Sequence, residues 1–84
     1  MNIHSGKCLE IGGWGTGNGA AANQWDCTGG NNQKWLERFN PANDTYQYVN
    51  VHSGKCLEIA DWSTGNGAAA RQWDCTGGKN QSWL

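Results

Sequence analysis

Short stretches of alternating hydrophobic and polar residues, separated by glycine-rich turns, run along the whole chain. In residues 7–11, "KCLEI", the two aliphatic side chains point to one side, and the cysteine and the glutamate point to the other. Residues 24–27, "QWDC", alternate in the same way. No stretch keeps a helical period, and the alanines at 20–22 are too few to nucleate a helix. The pattern predicts an all-β protein of short strands, either a small barrel or a sandwich.

The whole pattern occurs twice, at a fixed offset of 48 residues. Residues 1–36 and 49–84 align without a gap, and 28 of the 36 positions are identical. Residues 37–48 join these two units, with a turn expected at "NPAND" and a strand in "TYQYVNV". Self-similarity at such a period indicates a repeat architecture, so we expect residues 1–84 to form one module of two repeats.

The four cysteines occupy equivalent positions in the two units. The repeat therefore predicts one disulfide within each unit, Cys8 with Cys27 and Cys56 with Cys75. Each bridge would close a loop of about 20 residues and contribute roughly 3 kcal/mol in the loop-entropy model. A chain of 84 residues buries little apolar surface and ordinarily needs such a staple.

Composition and charge narrow the classes of partner. The net charge is −1 without any run of Lys or Arg, which argues against nucleic acid or an anionic membrane as partner. No apolar run approaches the roughly 20 residues of a membrane span. The N-terminal residues do not form a signal peptide, whereas paired cysteines indicate an oxidising compartment. We therefore expect a secreted, extracellular origin, the chain being an expressed segment of a secreted protein or a designed sequence.

Taken together, the motifs resemble the ricin-type β-trefoil lectins, most closely the bacterial carbohydrate-binding modules attached to xylanases. Both units carry a Cys-Leu-Glu-Ile strand, a Gly-Asn-Gly turn, a Trp-Asp-Cys strand and a closing Asn-Gln-x-Trp. The resemblance implies a β-trefoil, in which three four-stranded repeats surround a pseudo-threefold axis and each carries a shallow sugar site. Since this chain has two repeats, we expect a homo-oligomer, a trimer whose six units form two trefoils by strand exchange. A monomer with a degraded barrel and a fragment unfolded without its partner are the rival expectations.

The resemblance also implies which residues contact sugar. They are the carboxylate after Cys-Leu, the aromatic residue before Asp-Cys and the asparagine of the closing motif, namely Glu10, Trp25 and Asn32 in the first unit and Glu58, Trp73 and Asn80 in the second. Trp14, Thr28, Trp62 and Thr76 are candidates for additional sugar contacts. For Trp14 and Trp62, which are additions to the family pattern, a surface lid on the disulfide is the equal alternative. The family's core positions fall on Trp35 and Trp83, braced by Gln33 and Gln81. The family usually has Asp where this chain has Glu, and often a polar ring where this chain has Thr after the second cysteine; both departures bear on which sugar is bound.

These residue types suit a pyranose. An indole face stacks on the patch of C–H bonds, a carboxylate accepts hydrogen bonds from hydroxyls, and an amide both donates and accepts. Shallow sites of this kind bind near millimolar, about −4 kcal/mol, and repetition raises the affinity through multivalency. We expect a lectin for galactose-type or xylan-type sugars that is not an enzyme and needs neither a cofactor nor a metal.

Other interpretations of these residues stay open. The site tryptophans could pack in the core or on the disulfides, and the site glutamates could be solvated strand residues. A symmetric structural or designed scaffold with vestigial sugar sites is the alternative function, and a protease-inhibiting trefoil is a more distant one. Glu10 with Asp26 would make a glycosidase pair only across a cleft that the repeat gives no sign of building. Cysteines 19 residues apart do not offer the close ligand spacing of a zinc site.

Overall fold

The computed structural model describes residues 1–84 and confirms the all-β prediction. Its helical elements are four 3-10 turns of three residues each. None of them is long and apolar enough to span a membrane. The six strands are β1 (Cys8–Ile11), β2 (Ala22–Trp25), β3 (Trp35–Asn40), β4 (Thr45–Asn50), β5 (Cys56–Ile59) and β6 (Ala70–Trp73).

The strands form two antiparallel sheets. β1 pairs with β2, and β3, β4, β5 and β6 form a four-stranded sheet in that order. The hairpins of the two units share one register, in which Cys8 lies opposite Trp25 and Cys56 lies opposite Trp73. The repeat in sequence is therefore a repeat of one hairpin geometry.

A disulfide closes each of these hairpins. The bridges are Cys8–Cys27, with Cα atoms 5.2 Å apart, and Cys56–Cys75, with Cα atoms 5.1 Å apart. No cysteine is left free. The predicted pairing is thus the one that the structure shows, and each bridge ties the start of one strand to the residues just beyond its partner strand.

The connection between the units is itself a hairpin. β3 runs four residues past the end of the first sequence unit, and β4 returns after a turn at residues 41–44. Asp44 takes a left-handed φ of 55°, which Asp tolerates better than most residues. The side chain of Asn40 accepts a hydrogen bond from the Ala42 N–H at 3.0 Å. The expected turn therefore forms, held by its own Asn side chain.

The core is small and largely polar. The buried hydrophobic residues are Ile11, Cys56 and Leu57, and they lie among buried amides such as Asn50 and Gln81. The Asn50 side chain donates to the carbonyl of Asn32 at 3.0 Å, and Gln81 donates to the carbonyl of Asp74 at 2.8 Å. Hydrogen bonds between specific partners, as much as apolar burial, therefore define the interior.

The two tryptophans expected in the core lie at its edge. Trp35 and Trp83 are half-buried, and their indole N–H groups donate to the carbonyls of Leu9 and Leu57 at 3.1 and 3.2 Å. Burial is incomplete because no further layer of side chains covers them within the chain. Leu36 and Phe39, on the same strand as Trp35, are likewise about half exposed.

The units contact one another where the glycine-rich turn of the first, residues 15–21, lies on β6 of the second. The backbone of Gln72 exchanges hydrogen bonds of 2.8 and 3.0 Å with this turn. Its fully buried side-chain amide donates to two turn carbonyls at 2.9 and 3.0 Å. Asn18 accepts from the Asp74 N–H at 2.8 Å and donates to the Asp74 carboxylate at 3.0 Å. We call this the inter-unit contact.

Candidate functional site

Each unit carries a shallow cleft beside its disulfide-closed hairpin, of about 290 Å³ in the first unit and about 300 Å³ in the second. The structure brings the sequence-predicted sugar residues together by unit. The first cleft is lined by Glu10, Gly12, Gly13, Trp14, Asn23, Trp25, Thr28 and Asn32. The second is lined by Glu58, Asp61, Trp62, Arg71, Trp73, Thr76 and Asn80.

The glutamates lie at the bottom of the clefts and are not solvated strand residues. Glu10 is 8% exposed, and its Oε1 atom accepts hydrogen bonds from Gln33 at 3.1 Å and from Asn32 at 3.5 Å. Its Oε2 atom has no protein donor. The position in β1, next to the disulfide, turns this strand residue inward. The free oxygen is therefore a charged acceptor available to a ligand hydroxyl.

The asparagines complete the polar wall of the clefts. Asn32 and Asn80 each donate from Nδ2 to a β-strand carbonyl, of Ile11 and Ile59, at 3.2 Å. These bonds point the amide oxygens the other way, and both Oδ1 atoms are buried without a donor. Leaving such an acceptor unpaired costs about 1–3 kcal/mol. Unpaired buried acceptors are uncommon in native proteins, so each one calls for an explanation.

Exposed indoles form the apolar side. Trp25 is 58% exposed on β2, and Trp14 is 50% exposed in the 3-10 turn after β1. In the second unit Trp62 is 61% exposed, whereas Trp73 is half-buried. Large exposed rings beside buried polar groups suit stacking on the C–H face of a sugar.

Trp14 and Trp62 adopt a conformation that the sequence did not reveal. Their φ angles are 56° and 55°, a left-handed backbone that is uncommon for a bulky residue and costs about 1–3 kcal/mol. The Trp14 ring contacts the His52 ring edge-on, with centroids 5.0 Å apart. It also covers Gly30, where an added Cβ would lie 2.7 Å from the indole. Both units carry a glycine at this position, Gly30 and Gly78, and this shared glycine is the sequence feature that could have indicated the packing.

The threonines and glutamines that flank the clefts hold the loop after the second cysteine. The N–H of Thr28 donates to Gln33 at 2.8 Å, and the N–H of Thr76 donates to Gln81 at 2.9 Å. The Thr28 hydroxyl accepts from the Gly30 N–H at 3.2 Å. These residues therefore shape the cleft wall that the asparagines occupy.

The aspartates before the second cysteines do not face the site glutamates. Lys7 pairs with Asp26 at 2.8 Å, and Lys55 pairs with Asp74 at 2.8 Å. The hydrogen bond from each lysine lowers the pKa of its aspartate partner. The geometry offers no second carboxylate across the first cleft, and no group of three or more His, Cys, Asp or Glu residues is placed to hold a metal ion.

The two clefts differ chemically although their sequences are nearly identical. Arg71 stands where the first unit has Asn23, and its Nε atom pairs with the second Glu58 oxygen at 2.9 Å. Its Nη2 atom lies 3.5 Å from Asp61, and its guanidinium carbon lies 4.6 Å from the centre of the Trp73 ring. The free oxygen and the open indole face of the first cleft are thus both engaged in the second. The sequence alone made the two sites equivalent, although three of the eight positions that differ between the units, Gly12, Gly13 and Asn23, line the first cleft.

Similar structures share this fold. A designed threefold-symmetric protein, ThreeFoil, superposes with a TM-score of 0.90 and 39% identity over 95% of this chain and 56% of that one. The exo-β-1,3-galactanase 1,3Gal43A from Clostridium thermocellum gives 0.93 and 31% over 99% of this chain and 18% of that one. The Polyporus squamosus lectin gives 0.73 at 24% identity over 89% of this chain and 26% of that one, a likeness of fold alone.

In sequence, 38 residues are 45% identical to Serine protease 1 of Rarobacter faecitabidus, a stretch that is 45% of this chain and 7% of the protease. The chain thus spans only part of each relative. The sequence model of the ricin-type beta-trefoil lectin domain family matches residues 1–84. With this match over its whole length and its β-trefoil neighbours, the chain belongs to the ricin-type β-trefoil lectin family.

Proposed function

We propose that this chain is a carbohydrate-binding module that catalyses no reaction and binds a pyranose at one cleft per unit. The first cleft carries the proposal. There Glu10 offers a buried carboxylate with one free oxygen, Trp25 offers an exposed indole, and Asn32 adds an amide beside them. Acceptor, stacking platform and amide around one shallow cleft are what recognition of a sugar requires, and Glu10 is the one carboxylate that lines this first cleft.

The proposed ligands are galactose-type or xylan-type sugars. The likeness to a protein named as an exo-β-1,3-galactanase supports the galactosides, and the resemblance to xylanase-attached modules supports the xylans. Each cleft is shallow, and the first would bind with a Kd near millimolar, about −4 kcal/mol. Presentation of several clefts together then raises the avidity for a polysaccharide. Two disulfides support action outside the cell.

The test is a sugar titration of the oxidised chain, followed by NMR through its indole N–H signals, after a glycan array has selected the ligand. Trp25→Ala together with Trp73→Ala should abolish binding while the spectrum of the fold is kept. Ile3→Ala is the control, because Ile3 is an exposed apolar residue outside both clefts. A folded chain that binds no sugar at any accessible concentration would contradict the proposal.

A scaffold with vestigial sites is the second candidate. The observation that favours it is the likeness to the designed threefold protein, which is higher in sequence identity than that to the galactanase. The same titration separates the two functions, since a scaffold has no binding for the tryptophan variants to remove.

We further propose that a second copy of the chain supplies the third unit of the trefoil, three chains giving six units and two trefoils. The exposed apolar side chains Leu9, Leu36 and Phe39 and the half-buried Trp35 and Trp83 support this assembly, since another unit would cover them. The similarity to a threefold-symmetric protein, of which the chain covers 56%, fits a two-unit portion of such a barrel. Sedimentation as a single compact chain of 9.1 kDa at every concentration would contradict it.

A further inference from the structure

The inter-unit contact is directional, and each unit carries both of its surfaces. The first unit contributes the turn "GTGNGAA" (15–21) and the second contributes the strand "ARQWD" (70–74). The second unit has its own turn, "STGNGAA" (63–69), and the first has its own strand, "ANQWD" (22–26). These two segments differ from the paired ones at a single position each. They are therefore an unused copy of the same contact.

The unused strand borders an open groove. A cavity of about 350 Å³ is lined by Lys7, Gln24, Trp25 and Asp26. Lys7, Gln24 and Asp26 correspond to Lys55, Gln72 and Asp74, beside which the first unit's turn lies in the inter-unit contact. The side chain of Gln24 is exposed, and its amide N–H₂ has no acceptor, whereas that of Gln72 is fully buried and donates twice.

We propose that this groove binds residues 63–69 of a second copy of the chain. Asn66, which makes no side-chain hydrogen bond within its own chain, would accept from the Asp26 N–H and donate to the Asp26 carboxylate, as Asn18 does with Asp74. The Gln24 amide would donate to the carbonyls of Ser63 and Gly65 of that copy. The inference deepens the proposed assembly and rests on it for the choice of a second copy. A head-to-tail contact of this kind builds a ring when its rotation closes.

The second copy would also complete the first sugar cleft. In the inter-unit contact the turn lies against a site tryptophan, so that an added Cβ at Gly19 would be 3.8 Å from the Trp73 ring. Trp73 is half-buried there, beside this turn and Arg71, whereas Trp25 has neither neighbour and is 58% exposed. Gly67 of a second copy would occupy the same place against Trp25. The partner therefore supports the stacking platform from behind, outside the sugar's own contacts.

Sedimentation velocity on the oxidised chain, over a range of concentrations, tests this contact. Asn66→Asp places a carboxylate against that of Asp26 without touching any intrachain hydrogen bond, and it should weaken association by at least about tenfold. Adding Asp26→Asn to Asn66→Asp should restore association, because the amide and the carboxylate then exchange places. Asn31→Asp, the same charge change at an exposed residue without side-chain hydrogen bonds, is the matched control and should associate as the parent chain does.

The outcomes separate the proposals. Association of the parent chain that falls with Asn66→Asp and returns in the double variant supports the contact. A parent chain that stays monomeric overturns it, as does an assembly that Asn66→Asp leaves intact, since the copies then meet elsewhere. A sugar titration of the same samples keeps the lectin function apart. A monomer that binds sugar overturns only the contact and the assembly, and an assembly that binds none overturns only the lectin function.

Discussion

Replacing Arg71 by asparagine should free the carboxylate oxygen and the indole face of the second cleft, as they are free in the first. Arg71 holds the second oxygen of Glu58 at 2.9 Å and lies over the Trp73 ring, so a sugar that stacks there must first displace it. The first unit carries Asn23 at this position, and there both the carboxylate oxygen and the indole face are open. We therefore expect the parent chain to bind sugar more tightly at its first cleft.

The size of the difference follows from the two contacts that the sugar must break. A guanidinium over an indole contributes about 1 kcal/mol when partly exposed. An ion pair between the largely buried Glu58 and the 22%-exposed Arg71 side chain contributes about 1 kcal/mol after screening. Their sum, about 2 kcal/mol, corresponds to an affinity roughly 30-fold lower at the second cleft. Arg71→Asn should recover most of that factor.

An NMR titration that follows the indole N–H signals of Trp25 and Trp73 measures both sites in one sample, so the first cleft serves as an internal reference. The converse variant, Asn23→Arg with Gly13→Asp, carries the arginine and its aspartate partner into the first unit and should weaken that site by a similar factor. If Arg71→Asn left the second affinity unchanged or lowered it, Arg71 would be a sugar contact and the argument from displacement would be wrong.

Three further predictions concern stability and site shape. Gln72→Ala should lower the free energy of unfolding by about 3 kcal/mol, because two turn carbonyls lose their donor. The equivalent change in the first unit, Gln24→Ala, should alter it by less than about 0.5 kcal/mol at low protein concentration. Urea unfolding followed by tryptophan fluorescence compares the two variants. The hydrogen bond from Lys55 lowers the pKa of Asp74 below its ordinary value of 3.8. The stability that this pair contributes should therefore be complete above that pH and should be lost as the pH falls through the lowered pKa of the folded state. Equal acid sensitivity of Asp74→Asn and the parent chain would refute this. Gly30→Ala should weaken sugar binding at the first cleft by tenfold or more, because its Cβ would lie 2.7 Å from the indole and 2.8 Å from the asparagine oxygen, and the other cleft reports whether the fold is intact.

The sequence was sufficient for features that depend on near neighbours. Alternation along residues 8–11 and the equivalence of the cysteines predicted the hairpins and their disulfides, because strand period and repeat are both local properties. The resemblance named cleft residues that the structure does bring together by unit. Glu10 was expected to contact sugar, with a solvated strand position as the alternative. Its burial could not be predicted, because it depends on Asn32 and Gln33 folding over it from more than twenty residues away.

The remainder depended on partners that no local pattern marks. From the sequence by itself, Arg71 would be an exposed strand residue. Only its distances to Glu58 and Trp73 show that it changes the cleft. Trp83 was expected in the core but is only half-buried, since burial depends on what covers a side chain as well as on its motif. The inter-unit contact was missed because a Gly-Asn-Gly turn predicts only its own bend.

The inter-unit contact also sets the order in which the chain can fold. Its Gln72 hydrogen bonds join residues 55 and 57 positions apart, whereas the hydrogen bonds from Asn32 and Gln33 to Glu10 join residues 22 and 23 apart. Hairpins close in roughly 1–10 μs, but a long-range contact must wait for a larger loop closure before it contributes. We therefore expect the clefts to form early, as local elements of the fold, and the units to join in a late step. A sub-global opening that separates the units would leave each disulfide-closed hairpin, with most of its cleft, intact.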